Sequence, residues 1–142
     1  MTFLGPRVQA HEHHPPHGGV LVEVGEDFAH VELLFDLQKG NLTAYILDGE
    51  AENPVRIRQP LIDLRVEEVS YAGVSKAAFT LHLKAVANVL TGETVGDTSE
   101  FTAVAVNSLR GATSLKGRIT QITIRSQLFK NLPFSIPANE AS

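Results

Sequence analysis

Four imidazoles and a carboxylate fall within seven residues near the start of the chain, in His11-Glu12-His13-His14-Pro15-Pro16-His17. Neutral imidazole nitrogen and carboxylate oxygen are borderline donors, so this set suits Zn(II), Cu(II) or Ni(II). The spacing is not that of a preformed centre. Structural zinc sites fix their ligands on a tight turn or one helix face, whereas Pro15-Pro16 splits this set in extended geometry. The tract is therefore expected to capture metal by wrapping around it, with His11, His13, His14 and His17 as ligands. The plainer alternative is a solvated leader whose histidines have no specific task. An engineered tag would be an unbroken histidine run, which this is not.

His30 and Glu32 are the next candidates. Two apart on a predicted strand, they project from one face with Cα atoms roughly 6–7 Å apart, close enough for a shared metal or an ion pair. A half-exposed strand position is the plainer reading of His30, and a metal ligand the sharper one. A first hairpin turning about Glu26 sets Val22 opposite His30, so His17 joins His30 only if the leader folds back. His82, between Leu81 and Leu83, reads as a surface residue. Enzyme signatures are missing: there is no G-x-S-x-G elbow, no phosphate-cradling glycine loop and no H-E-x-x-H helix. Asp27, Asp36 and Asp48 at turns, and Asp63, Glu67 and Glu68 at outward positions, read as solvated charge. The acidic turn at Asp48-Gly49-Glu50 lacks the alternating oxygen ligands of a calcium loop. The expectation is a non-enzymatic protein.

The elements that must position these residues read as strands. Residues 1–19, punctuated by Pro6, Pro15, Pro16, Gly18 and Gly19, form a flexible leader. From Val20 the pattern turns to short alternating runs: Val20/Val22/Val24, Phe28 to Phe35, Leu42 to Leu47, Leu61 to Val69, and Ala77/Phe79/Leu81/Leu83/Ala85. After a polar loop over 88–100, Phe101 to Val106 resumes the strands. Asn107 to Lys116 has room for one helical turn, stopped by Gly117. Thr120 to Arg125 and Phe134/Ile136 close the series. About eight or nine short strands at roughly 8–12-residue spacing, joined by hairpin-type turns, predict an all-β, antiparallel β-sandwich of immunoglobulin-like size. A sandwich is preferred to a closed barrel because no second polar set of residues is evident to line a cavity. The expected division is a leader at 1–19, a sandwich domain at 20–137 and a tail at 138–142.

Composition narrows the function. The chain has 142 residues, a net charge of −4 and 20% charged residues, which suits one globular domain and disfavours nucleic acid and anionic membrane surfaces. Cysteine is absent, which excludes disulfides, thiolate nucleophiles and cysteine metal sites. With Met1 the sole thioether, soft ligands for Cu(I) or Ag(I) are missing as well. No stretch approaches the roughly 20 apolar residues of a spanning helix, so membrane insertion is not expected. The opening MTFLGPRVQA holds no apolar run of signal-peptide length. The location is cytoplasmic as the sequence stands, or periplasmic if a signal peptide has been removed.

His17-Gly18-Gly19, the Val24-Gly25-Glu26-Asp27 turn, Ala29-His30-Val31-Glu32-Leu33, Gly40-Asn41-Leu42-Thr43 and Tyr45-Ile46-Leu47-Asp48-Gly49 follow one another in order. This pattern resembles a group of small bacterial envelope proteins with H-G-G, L-G-D, H-x-E-L and Y-x-L-D segments. Relatives of that group occur near, or attached to, periplasmic adaptor subunits of heavy-metal efflux pumps. The resemblance spans residues 17–58 well and is looser from Phe101. It draws attention to His17, His30 and Glu32, and it implies a metal-related envelope context with an efflux adaptor or self-association as partner. The expected function is an accessory domain binding a divalent metal through histidines. The alternative is a protein-interaction module using an exposed sheet face or edge strand, without metal.

Overall fold

The computed structural model describes residues 13–36, 38–72 and 74–137. His11 and Glu12 of the histidine tract, and the tail at 138–142, lie outside the described residues. Every strand pairing is antiparallel, and among the described residues there is no helix.

The first three strands form a meander: β1 (Val20–Val24), β2 (Ala29–Asp36) and β3 (Asn41–Asp48). The chain then crosses to β4 (Leu61–Tyr71), which pairs along one edge with short β5 (Val74–Lys76) and with β6 (Phe79–Ala85). β7 (Glu100–Ala103) inserts between β6 and β3, and β8 (Ser114–Ile124) and β9 (Gln127–Ile136) form the closing hairpin. The hydrogen-bonded order is β1-β2-β3-β7-β6-β4-β8-β9, one continuous sheet. Its two ends, β1 and β9, lie alongside each other, and the Phe28 and Phe129 rings meet across the gap with centroids 5.4 Å apart.

The sheet thus curls nearly into a barrel in place of the expected two-sheet sandwich. Alternation reports only which residues point inward, and the inner face of a barrel and of a sandwich read alike. The curl comes from devices that alternation hides. β4 carries a bulge between Val66 and Glu68, which moves its buried positions from Ile62, Leu64 and Val66 to Val69. Gly117 sits opposite that bulge, where a Cβ would run into the Arg65 carbonyl and lie 3.0 Å from the Val66 Cα. β8 therefore starts at Ser114, and Gly117 lies inside it. No helical turn forms before it: residues 107–111 make turns closed by hydrogen bonds from Leu109 to Val106 and from Arg110 to Asn107. The inward glycine interrupts the Leu115/Ile119 stripe, which is why the first half of β8 is hard to see in sequence.

The enclosed space is filled by aliphatic side chains with Phe101 fully buried among them, so the interior is a packed core. The polar segment before β7 is held by Arg56, which reaches Asp97 at 3.2 Å and Glu93 at 3.6 Å, while Ser99 donates to Glu93 at 2.7 Å. The turn after β3 is organised by the Asp48 carboxylate. Burial pushes that carboxyl up, but hydrogen bonds from the Glu52 backbone, the Asn53 side chain and backbone, and the Glu50 backbone outweigh it and hold its pKa below 3.8.

Two outcomes follow from this architecture. Gly117→Ala should cost about 1–3 kcal/mol in urea unfolding, because a backbone carbonyl stands in the way of the new methyl; an unaltered midpoint would remove the bulge packing as a constraint. The Asp48 contribution is present above pH 3.8 and is lost as pH falls through its lower folded pKa. The urea midpoint of Asp48→Asn should therefore fall less steeply than wild type across that acid window, and parallel curves would refute the assignment.

Candidate metal centre

The outer face of the β1–β3 meander is where the candidate residues gather. The register sets Glu23 beside His30 and Leu21 beside Glu32 on one side, and Leu47 and Tyr45 beside the same two residues on the other. Val22 stands opposite Val31, so the hairpin is shifted by one residue from the expected pairing, and its turn is four residues long (25–28). Because Ala29, Val31 and Leu33 fill the core, His30 and Glu32 must face outward. Yet both are buried, His30 at 3% and Glu32 at 0% exposure, so His30 is not the half-exposed residue its position suggested.

Residues 13–19 bury them. Glu32 accepts hydrogen bonds from the backbone of His17 and of Gly19, each at 2.8 Å, and its other oxygen lies 2.7 Å from His17 Nδ1. The His17 ring stacks on Tyr45 with centroids 3.7 Å apart. Gly18 takes a left-handed conformation (φ 78°) in a turn closed by its backbone N–H on the Pro15 carbonyl. Gly19 passes so close to β2 that a Cβ would strike the Leu33 carbonyl. The Gly-Gly pair thus lets the chain reverse and lie flat on a strand backbone. From His13 onward the segment is tied to the sheet.

This fold-back delivers His13 to the far end of the meander. Its ring meets His30 edge-on with centroids 4.8 Å apart, and its Nε2 lies 3.5 Å from Asp27 Oδ1. His13, Asp27 and His30 each present one ligand atom, all within 4.8 Å of one another. The His13 Nε2 is buried and has no hydrogen-bond partner. His30 Nδ1 lies 3.1 Å from the Asp48 carbonyl. Since a carbonyl can only accept, Nδ1 carries a proton there, and the neutral tautomer compatible with that contact has its lone pair on Nε2. Asp27 is held by its turn, with φ 56° and its backbone N–H donating to Glu23 at 3.1 Å. The three side chains border an open cleft completed by Leu21, Glu23 and Glu26.

The sequence candidates therefore separate. His13 and His30 come together; His17 and Glu32 pair with each other; His14 is exposed; His11 lies outside the described residues. Asp27 was read as a solvated turn carboxylate. The available signal was its place three residues before His30, in the turn that ends the hairpin. His82 is exposed and pairs with Asp63 across β4 and β6 at 2.5 Å. No protein-family model, curated protein or solved structure matches this chain.

Tyr45 reports on the cover over this face and on the carboxylates near it. Burial pushes its phenol above 10.0, and the Glu100 and Glu32 carboxylates push it further in the same direction. The difference between the tyrosinate absorbance titrations of wild type and Tyr45→Phe should show a midpoint above 10.0. A midpoint at or below that value would mean that Tyr45 is not covered as the structure has it.

Proposed function

We propose that the protein is a non-enzymatic β-barrel-like accessory domain that binds a borderline divalent cation, Zn(II), Cu(II) or Ni(II), through His13, Asp27 and His30. The observation that carries this reading is the buried His13 Nε2, which makes no hydrogen bond and faces the Asp27 carboxylate at 3.5 Å beside a second imidazole. A buried nitrogen that makes no hydrogen bond costs free energy, and a cation accepting its lone pair would remove that cost. Zinc–nitrogen bonds of about 2.0–2.1 Å place neighbouring tetrahedral donors roughly 3.3 Å apart. The 3.5 Å pair already fits, and closing a separation of 4.8 Å takes about 1.5 Å of side-chain movement. The Asp48 carbonyl would hold the His30 ring in its metal-ready tautomer.

Three protein donors leave a position open toward the cleft lined by Leu21, Glu23 and Glu26. A cation there can be loaded and given up, which suits capture and hand-over. The resemblance of residues 17–58 to envelope proteins near heavy-metal efflux adaptors favours an efflux or envelope setting. A second reading, docking of a protein partner without metal, draws on the exposed apolar side chains of Val89, Leu90 and Leu128.

Calorimetric titration with Zn(II), Cu(II) and Ni(II) tests the metal reading. Deleting residues 1–12 should leave affinity within a few-fold, whereas His13→Ala, Asp27→Ala or His30→Ala should each weaken it at least tenfold, on the order of one lost ligand bond. Affinity should also fall as pH drops, because protons compete for imidazole. Binding no tighter than about millimolar (roughly −4 kcal/mol), or binding lost with residues 1–12, would sink the assignment.

A further inference from the structure

We propose that Glu32, acting with His17, is the positioning residue of this metal centre: a buried carboxylate that docks residues 13–19 onto the sheet and so delivers the ligand His13. The inference rests on the metal reading above and assigns what controls that site.

His13 lies outside every strand, so no ladder of backbone hydrogen bonds fixes it. The fixing comes four residues later. Both oxygens of Glu32 are engaged, one by the His17 and Gly19 backbone N–H groups and the other by the His17 ring. A fully buried carboxylate needs such donors to replace its lost hydration, so the segment and Glu32 depend on each other. Between His17 and His13 the chain has little freedom, because Pro15 and Pro16 restrict it and the Pro15 carbonyl is tied to the Gly18 N–H. Docking at Glu32 therefore decides whether His13 reaches Asp27 and His30. Glu32 itself is not among the grouped ligand atoms, which come from His13, Asp27 and His30.

Two consequences separate this arrangement from a simple buried ion pair. Apparent metal affinity scales with the fraction of molecules in which the segment is docked, so undocking weakens binding with no ligand altered. By linkage, metal must in turn hold the segment down.

The test measures zinc affinity by calorimetry, and amide exchange at Gly19 with and without zinc, in the full chain and in Glu32→Gln and His17→Ala. Glu32→Gln should bind zinc about 10–100-fold more weakly, the range for loss of a group that orients a ligand. His17→Ala changes a side chain that is 40% exposed, so it leaves the core intact and serves if the buried substitution unfolds the protein. Its loss of one charge-assisted bond should weaken zinc roughly tenfold. In metal-free protein the Gly19 amide should exchange faster in both variants, and zinc should slow it in wild type. Faster exchange with unchanged affinity would overturn the proposal, as would unchanged exchange in both variants. Wild-type protein that takes no zinc would instead bring down the metal reading itself; intact binding in Glu32→Gln would bring down only this inference.

Discussion

The Glu32 carboxylate, wholly buried on what would otherwise be the outer face of the sheet, is the constraint around which this end of the molecule is arranged. An ionised carboxylate removed from water is strongly unfavourable unless donors replace the lost hydration. Here the donors come from a segment that precedes the first strand, His17 and Gly19, so the burial of the carboxylate and the fold-back go together. Several other features take their sense from that bond set. The two adjacent glycines allow the reversal and the flat approach to β2, Tyr45 gives the His17 ring a surface to stack on, and the burial of His30 follows from the cover above it.

Much of the fold was written in alternation. β1, β2 and β3 begin and end within a residue of where period-two patterning places them, since their apolar residues face a dry core and their polar ones do not. What alternation could not convey was how the sheet bends. The bulge at Val66/Glu68 and the inward Gly117 opposite it disturb the pattern where curvature is created, so the segment that turns the corner looked like a turn or helix. A barrel-like closure and a sandwich differ in that curvature, and therefore not in the residues a sequence shows as buried.

The candidate site was half legible for a related reason. Residue type singled out the tract that holds His13, because imidazole is a donor for borderline cations, and strand spacing singled out His30 with Glu32. Asp27 was hidden, since a turn aspartate is commonplace and only the third dimension sets it beside His13. Glu32 was visible as a partner of His30 by spacing, but its real partners lie 13 and 15 residues earlier in the chain. Spacing along a strand reports which residues share a face; it does not report what lies on that face.

The meander has one more property. Every residue assigned here to the proposed ligand set, its orientation or its anchoring falls between His13 and Asp48, in the first three strands, the turn between β1 and β2 and the segment just before β1. Contacts this close along the chain carry a small loop-closure entropy, which grows only as about (3/2)RT ln n. The centre is thus built from one uninterrupted stretch, and β4 to β9 contribute the platform beneath it. Within the described residues, the proposed ligands thus depend on β4 to β9 only through the core beneath the meander, so substitutions on the far side of the barrel leave the candidate cluster's own contacts in place.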